Sequence, residues 1–355
     1  MRLRTNRYTF FLLESSIMQR RIHVPRPIAQ LLLGSLLCAT AQLHAQTPPA
    51  LKLQSIDIRV SNPDQSLQFY HDLLGLQVQG RVGKTLWLRI GVGPQFIALS
   101  PAHAGESARI AAIGLSVQKF AAAKFTQRLD AAGFSRKQAA PDANLSELSL
   151  ANSYWSEGRA LYFVDQEGLP MRLADARDCG AWGAKQVECK SMHTKKEHAG
   201  QLPLLGINHL TTFVANAPRA NQFMLDLFGL KYQFYQGPTA PTVGIGDGLQ
   251  FLMFVGGAQS GPAKEAARIN HVSFSMNKFD VEQIFATLKS YGLSPRPEGA
   301  RVAPPLTYYV SMRMPNRGGA EDGTPEVYFT DPDGILLQVQ DTTYCGGGGY
   351  LGDKC

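Results

Sequence analysis

Apolar and polar residues alternate in short runs along this chain, and the runs recur. Near residues 55, 112, 208 and 270 a stretch opens in the two-residue period of a half-buried strand, as in "SIDIRV" (55–60) and "HVSFSM" (271–276). A helical period follows. "PDQSLQFYHDLLG" sets Leu67, Tyr70, Leu73 and Leu74 along one side and stops at Gly75, and "FDVEQIFATLKSYG" stops at Gly292 in the same way. Turn signals such as "GVG", "GDG" and "DPDG" then separate further short strands. The pattern predicts four strand–helix–strand modules and an α+β fold.

The modules come in pairs, because the chain repeats itself. "YFVDQEGLPMRLADARDCGAWGAKQVEC" (162–189) returns without a gap as "YFTDPDGILLQVQDTTYCGGGGYLGDKC" (328–355), with both cysteines in register. "IDIRVSNPDQSLQFYHDLLGL" (56–76) answers to "LTTFVANAPRANQFMLDLFGL" (210–230), and "IGVGPQF" (90–96) to "IGDGLQF" (245–251). The offset between copies grows toward the end, which places extra residues of the second copy within "SMRMPNRGGAEDG" (311–323). Two tandem domains are expected, 50–189 and 202–355, with the charged stretch 190–201 as linker.

Charge changes this picture little. The net charge is +7 over 355 residues, but residues 1–45 hold six arginines and one acid and so carry +5 of it. The remainder gives no footprint for nucleic acid. Arginines ahead of "IAQLLLGSLLCATA" and a cleavage-like "QLHA" mark 1–45 as an export signal, of ordinary length if translation starts at Met18. The apolar run is too short for a comfortable membrane span, so no stable insertion is expected after cleavage. A periplasmic or secreted protein with four remaining cysteines favours disulfides, and the repeat favours the local pairs Cys179–Cys189 and Cys345–Cys355.

Four modules in this repeat order, with the "F-x-x-D-L-x-G-L" helix end in the first and third and the "D-P-D-G" turn in the last, resemble the vicinal oxygen chelate superfamily, which includes glyoxalase I, bleomycin resistance proteins and extradiol dioxygenases. The resemblance implies two tandem domains of paired βαβββ modules, each pair curling a mixed sheet around a cupped site. It also implies that metal ligands come from first strands and from the strand after the "DPDG" turn. Those positions are Ser55, Ala112 and Arg172 in the first half, but His209, His271 and Gln338 in the second. Two imidazoles and an amide oxygen suit Fe(II), Mn(II), Zn(II) or Ni(II). The superfamily's dioxygenases place a glutamate where Gln338 stands, and Glu326 is the nearby carboxylate that could replace it. Tyr328 falls where those enzymes keep a catalytic tyrosine. Arg313, Arg317 and Tyr309 could rim the cup and bind an anionic or phenolic substrate.

The expectation is an exported enzyme that needs a divalent metal and acts on a small substrate with vicinal oxygens, in dioxygenase-like ring or C–C cleavage. Glyoxalase-like lyase or isomerase chemistry, and non-catalytic sequestration of a small molecule, are the alternatives. The superfamily's habit of exchanging modules between chains also leaves a homodimer open.

Overall fold

The computed structural model describes residues 51–138, 147–178, 200–246 and 248–347. The leader at 1–45, most of the 190–201 linker, and Cys179, Cys189 and Cys355 lie outside the described residues.

Each half forms one nine-stranded sheet. The first contains β1 (Leu51–Val60), β2 (Gln77–Val82), β3 (Thr85–Arg89), β4 (Phe96–Pro101), β5 (Arg109–Val117), β6 (Ser135–Arg136), β7 (Ser153–Glu157), β8 (Ala160–Val164) and β9 (Pro170–Asp175). The second contains β10 (Leu204–Phe213), β11 (Tyr232–Tyr235), β12 (Pro241–Gly244), β13 (Phe251–Val255), β14 (Arg268–Met276), β15 (Ser294–Pro295), β16 (Thr307–Arg313), β17 (Thr324–Thr330) and β18 (Leu336–Asp341). The lateral orders, β2-β3-β4-β1-β5-β9-β8-β7-β6 and β11-β12-β13-β10-β14-β18-β17-β16-β15, are one order written twice. In each sheet the first strands of the two modules pair antiparallel at the centre (β1 with β5, β10 with β14). Each first strand also pairs parallel with the last strand of its own module. A parallel pair needs a crossover, which the helix supplies.

The helices are α1 (Pro63–Gln68), α2 (Ala122–Ala131), α3 (Ala217–Phe228) and α4 (Val281–Tyr291). Asn62 and Asn216 start α1 and α3 alike, each side chain accepting from backbone N–H groups of the first turn. Gly75, Gly229 and Gly292 stop the helical segments with φ of 71°, 68° and 112°, a region that favours glycine. The helix expected over 63–75 departs from regularity after Gln68, where Phe69–Leu73 form a π turn. With it, Phe69 and Tyr70 both reach the other half. The Phe69 ring lies 6.3 Å from that of Phe329, and the Tyr70 hydroxyl donates to Asp331 Oδ2 at 3.1 Å.

The second half returns the contact. Phe223 of α3 stacks on Phe134 at 5.4 Å and meets Phe163 at 6.2 Å. Each half's first helix therefore packs on the other half's second module. The turn acids follow the same crossing: Glu167 accepts from the N–H of Asn216, and Asp333 from that of Ser61.

At the centre, two glutamines join the halves. Gln95 donates to its own half's Leu53 carbonyl at 2.6 Å and accepts from the N–H of Ile207 at 2.9 Å. Gln250 donates to its own half's Ile207 carbonyl at 2.7 Å and accepts from the N–H of Leu53 at 3.1 Å. Leu53 and Ile207 flank bulges that leave Gln54 and Asn208 out of register, so their backbone groups lack ladder partners there. Gln95→Ala or Gln250→Ala orphans one buried N–H of the opposite half. Each should cost about 1–3 kcal/mol, read as a lower urea midpoint, with both halves still unfolding in one transition.

Candidate metal centre

The pairing of strands brings one polar row across the second sheet. Phe251, His209, Ser273, Gln338, Tyr328 and Tyr309 stand opposite one another on β13, β10, β14, β18, β17 and β16. Register partners project from the same face, and His271 joins them because it lies two residues before Ser273. His209, His271 and Gln338, chosen from sequence, are therefore brought together. The imidazole centroids lie 5.6 Å apart at 82°, and the Gln338 amide faces both rings. All three side chains are buried.

Each histidine follows an asparagine that orients it. His209 Nδ1 lies 2.7 Å from Asn208 Oδ1, and His271 Nδ1 lies 2.8 Å from Asn270 Oδ1. Asn208 donates through Nδ2 to the Tyr344 carbonyl at 2.8 Å, which turns its oxygen toward the ring. The assignment that satisfies these contacts has Nδ1–H donating, so the lone pair sits on Nε2, as a metal ligand requires. Sequence reasoning missed this pair, although "INH" occurs at both 207–209 and 269–271.

Burial keeps both rings neutral. It holds His271 down at about 4, against the raising influence of Glu326. Burial, then His271 and Arg313, hold His209 well below its ordinary value. Ser273 Oγ and both amide atoms of Gln340 are sealed without a hydrogen-bond partner, and the Gln338 amide and His271 Nε2 find at most each other and His209. Buried polar groups are almost always paired, which makes this cluster the candidate place for a bound species.

The first half shows what happens without it. Its equivalent row is Phe96, Ser55, Gly114, Arg172, Tyr162 and Trp155. The Arg172 guanidinium fills that cup, paired with Asp178 at 2.8 Å and approaching the Tyr162 hydroxyl at 3.3 Å. Ser55 Oγ occupies the place that a side chain on Gly114 would need. Cys345, buried in the second half, follows Tyr344, while Asp178 stands at the position in the first half that Tyr344 holds in the second.

A buried ion pair stands beside the histidines. The β16–β17 hairpin is twelve residues longer than β7–β8, counting from Tyr309 to Tyr328 against Trp155 to Tyr162. The added length carries the extra residues expected over 311–323, and with them Arg313. Arg313 does not rim the cup: it is 4% exposed and forks onto Glu326, which is 3% exposed. Glu326 also accepts from Tyr328 at 3.1 Å and Tyr344 at 2.7 Å. Three of these contacts fall on Oε1, so Arg313 and Tyr344 hold that oxygen while Oε2 takes only the Tyr328 hydroxyl. Among the described residues no group of three or more His, Cys, Asp or Glu is placed to hold a metal. The set that converges here is two imidazoles and an amide.

The remaining predicted residues sit further out. Tyr328 meets His271 edge-on at 5.4 Å and stacks on Tyr309 at 5.1 Å. Burial, then Glu326, push the Tyr328 phenol well above its ordinary value, so it holds its proton. Tyr309 is half-buried beneath the Arg296 guanidinium, 3.8 Å from its ring. Arg317 is exposed on a short turn (Pro315–Arg317). Tyr344, which sequence reasoning passed over, is fully buried with its ring 5.6 Å from His209. Its segment is held down by Gln233 and Gln236, which donate to the carbonyls of Cys345 and Gly346.

Two outcomes follow. In chelator-treated protein, His271 pulls stability down as pH falls. The unfolded ring takes its proton near 6.5 and the folded one near 4, so its share is intact above about 6.5 and lost toward 4. The difference in unfolding free energy between wild type and His271→Gln should change by about 3 kcal/mol across that window. Arg313→Met strands a buried carboxylate and should cost about 3–5 kcal/mol, while Arg313→Met with Glu326→Leu costs less than the two singles together. Chemical denaturation measures both.

Residues 52–143 match the family model of the Glyoxalase/Bleomycin resistance protein/Dioxygenase superfamily. No curated protein matches the chain in sequence. Among solved structures, a variant of homoprotocatechuate 2,3-dioxygenase from Brevibacterium fuscum has a TM-score of 0.54 at 19% identity, covering 85% of this chain and 75% of that one. Homoprotocatechuate 2,3-dioxygenase from Arthrobacter globiformis has a TM-score of 0.53 at 18% identity, covering 83% and 81%. An extradiol ring-cleaving dioxygenase from B. fuscum has a TM-score of 0.55 at 18% identity, covering 84% and 74%. At these identities the likeness is one of fold, and it spans both halves.

Proposed function

Taking as premise that this chain carries the vicinal oxygen chelate fold in two tandem copies, we propose that its second half is a divalent-metal centre of dioxygenase-like character. His209, His271 and Gln338 would hold the ion, and a small substrate with two adjacent oxygens would complete it. The observation that carries the reading is the convergence of two neutral imidazoles, 5.6 Å apart, on one sealed Gln338 amide. The ion would supply Lewis acidity and a template for two substrate oxygens.

The chain's own residues do the rest. Asn208 and Asn270 keep the ring protons on Nδ1. Glu326 holds the protons of Tyr328 and Tyr344 in place, and Arg313 fixes Glu326. Tyr328 thus keeps its proton on Glu326 and stands beside His271 as a neutral phenol rather than a base. Burial excludes bulk water from the substrate's oxygens. Lyase or isomerase chemistry needs a carboxylate base, and Glu326 is tied to Arg313, Tyr344 and Tyr328, which favours the oxygenase-like reading. The whole-chain likeness to extradiol dioxygenases supports the same choice. Export of the chain, the Cys345–Cys355 and Cys179–Cys189 pairs, and small-molecule contacts from Tyr309 and Arg317 belong to the same reading.

Anaerobic reconstitution with Fe(II), Mn(II), Zn(II) or Ni(II), followed by elemental analysis, tests it. About one ion per chain is expected, falling at least tenfold in His271→Ala and His209→Ala, each of which removes a ligand. No stoichiometric uptake of any of these ions by folded wild type would sink the proposal.

A further inference from the structure

The ligand set carries no charge. A histidine binds a metal as the neutral imidazole, and Gln338 is an amide. The charged groups acting on the two rings besides each other are Arg313 and Glu326, which neutralise one another in a buried fork. A divalent ion held here would thus keep both positive charges in a sealed, low-dielectric cup, where an uncompensated charge is costly. The compensation has to arrive with the substrate. Ser273 Oγ and the Gln340 amide are unpartnered and sealed, and with the Gln338 amide beside the two rings they supply neutral donors for anionic oxygens. The first half lacks them, with Gly114 and Ala174 at the places of Ser273 and Gln340.

Resting on the metal reading above, we infer that the site selects a substrate that binds as a dianion through two adjacent oxygens, and that ion and dianion bind synergistically. A single carboxylate at 338 would bring one of the two negative charges itself, so Gln338 is the residue that sets this preference. Neutral diols and monoanions of the same shape are bound less well.

Calorimetric titration of the chelator-treated full chain with Co(II) tests the inference. Titrations are run alone and with oxalate, glycolate or ethylene glycol, which share vicinal oxygens but differ in charge. In wild type, oxalate should tighten Co(II) about tenfold or more after correction for oxalate complexes in solution, glycolate less, and ethylene glycol not at all. Gln338→Glu should bind Co(II) alone more tightly than wild type and gain less than about threefold from oxalate. Circular dichroism checks that the variant is folded, and the wild-type series decides the matter if it is not. Equal effects of oxalate and glycolate on wild type, with Co(II) bound, overturn the dianion inference and leave the metal reading standing. Absence of Co(II) binding in every arm overturns both.

Discussion

Two amide side chains hold this molecule together at the point where its function would be expressed. Gln95 and Gln250 each span from a carbonyl of their own half to an N–H of the other, at the bulges beside Leu53 and Ile207. A bulge leaves backbone groups without ladder partners, and in a buried place each must find one. The partner comes from the opposite half both times. The constraint also places Asn208, the bulged residue, with its carbonyl oxygen on His209 and its amino group on the Tyr344 backbone. Orientation of one imidazole thus depends on the junction between halves.

Around that junction the halves are crossed rather than side by side. Phe69 reaches Phe329, and Phe223 reaches Phe163, so each first helix completes the core of the other copy. The first half has Ser55, Ala112 and Arg172 at the candidate ligand positions, yet it supplies the surface against which the second half's "DPDG" turn is fixed, through Tyr70 to Asp331 and Ser61 to Asp333. The two cups have then diverged by charge. One is filled by the Arg172–Asp178 pair, while the other keeps its ion pair, Arg313–Glu326, beside two imidazoles and the Gln338 amide.

Much of this was legible beforehand, for physical reasons. Strand alternation, the Asn62 and Asn216 starts and the glycine stops are local chemistry, so the modules and their order could be laid out from composition and spacing. His209, His271 and Gln338 were picked because the resemblance points to first strands and to the strand after the "DPDG" turn. Arg313 was picked too, but not its burial, which depends on the register of a hairpin lengthened by twelve residues. Sequence spacing put it on a rim, whereas pairing of Ser311 with Glu326 brings its strand inside. The regular helix expected over 63–75 failed for a similar reason, because the packing of Phe69 and Tyr70 belongs to the other half.

The sequence by itself determined the duplication, the two-module halves, and which half carries groups able to bind a metal. These rest on residue type and short spacings, which no later packing can alter. Tertiary structure decided what those groups face: neutral imidazoles held by asparagines, a Glu326 tied to Arg313, and a sealed amide at 338 between the two rings. Those are properties of burial and of long-range register, and they exist only once strands far apart in the chain lie side by side.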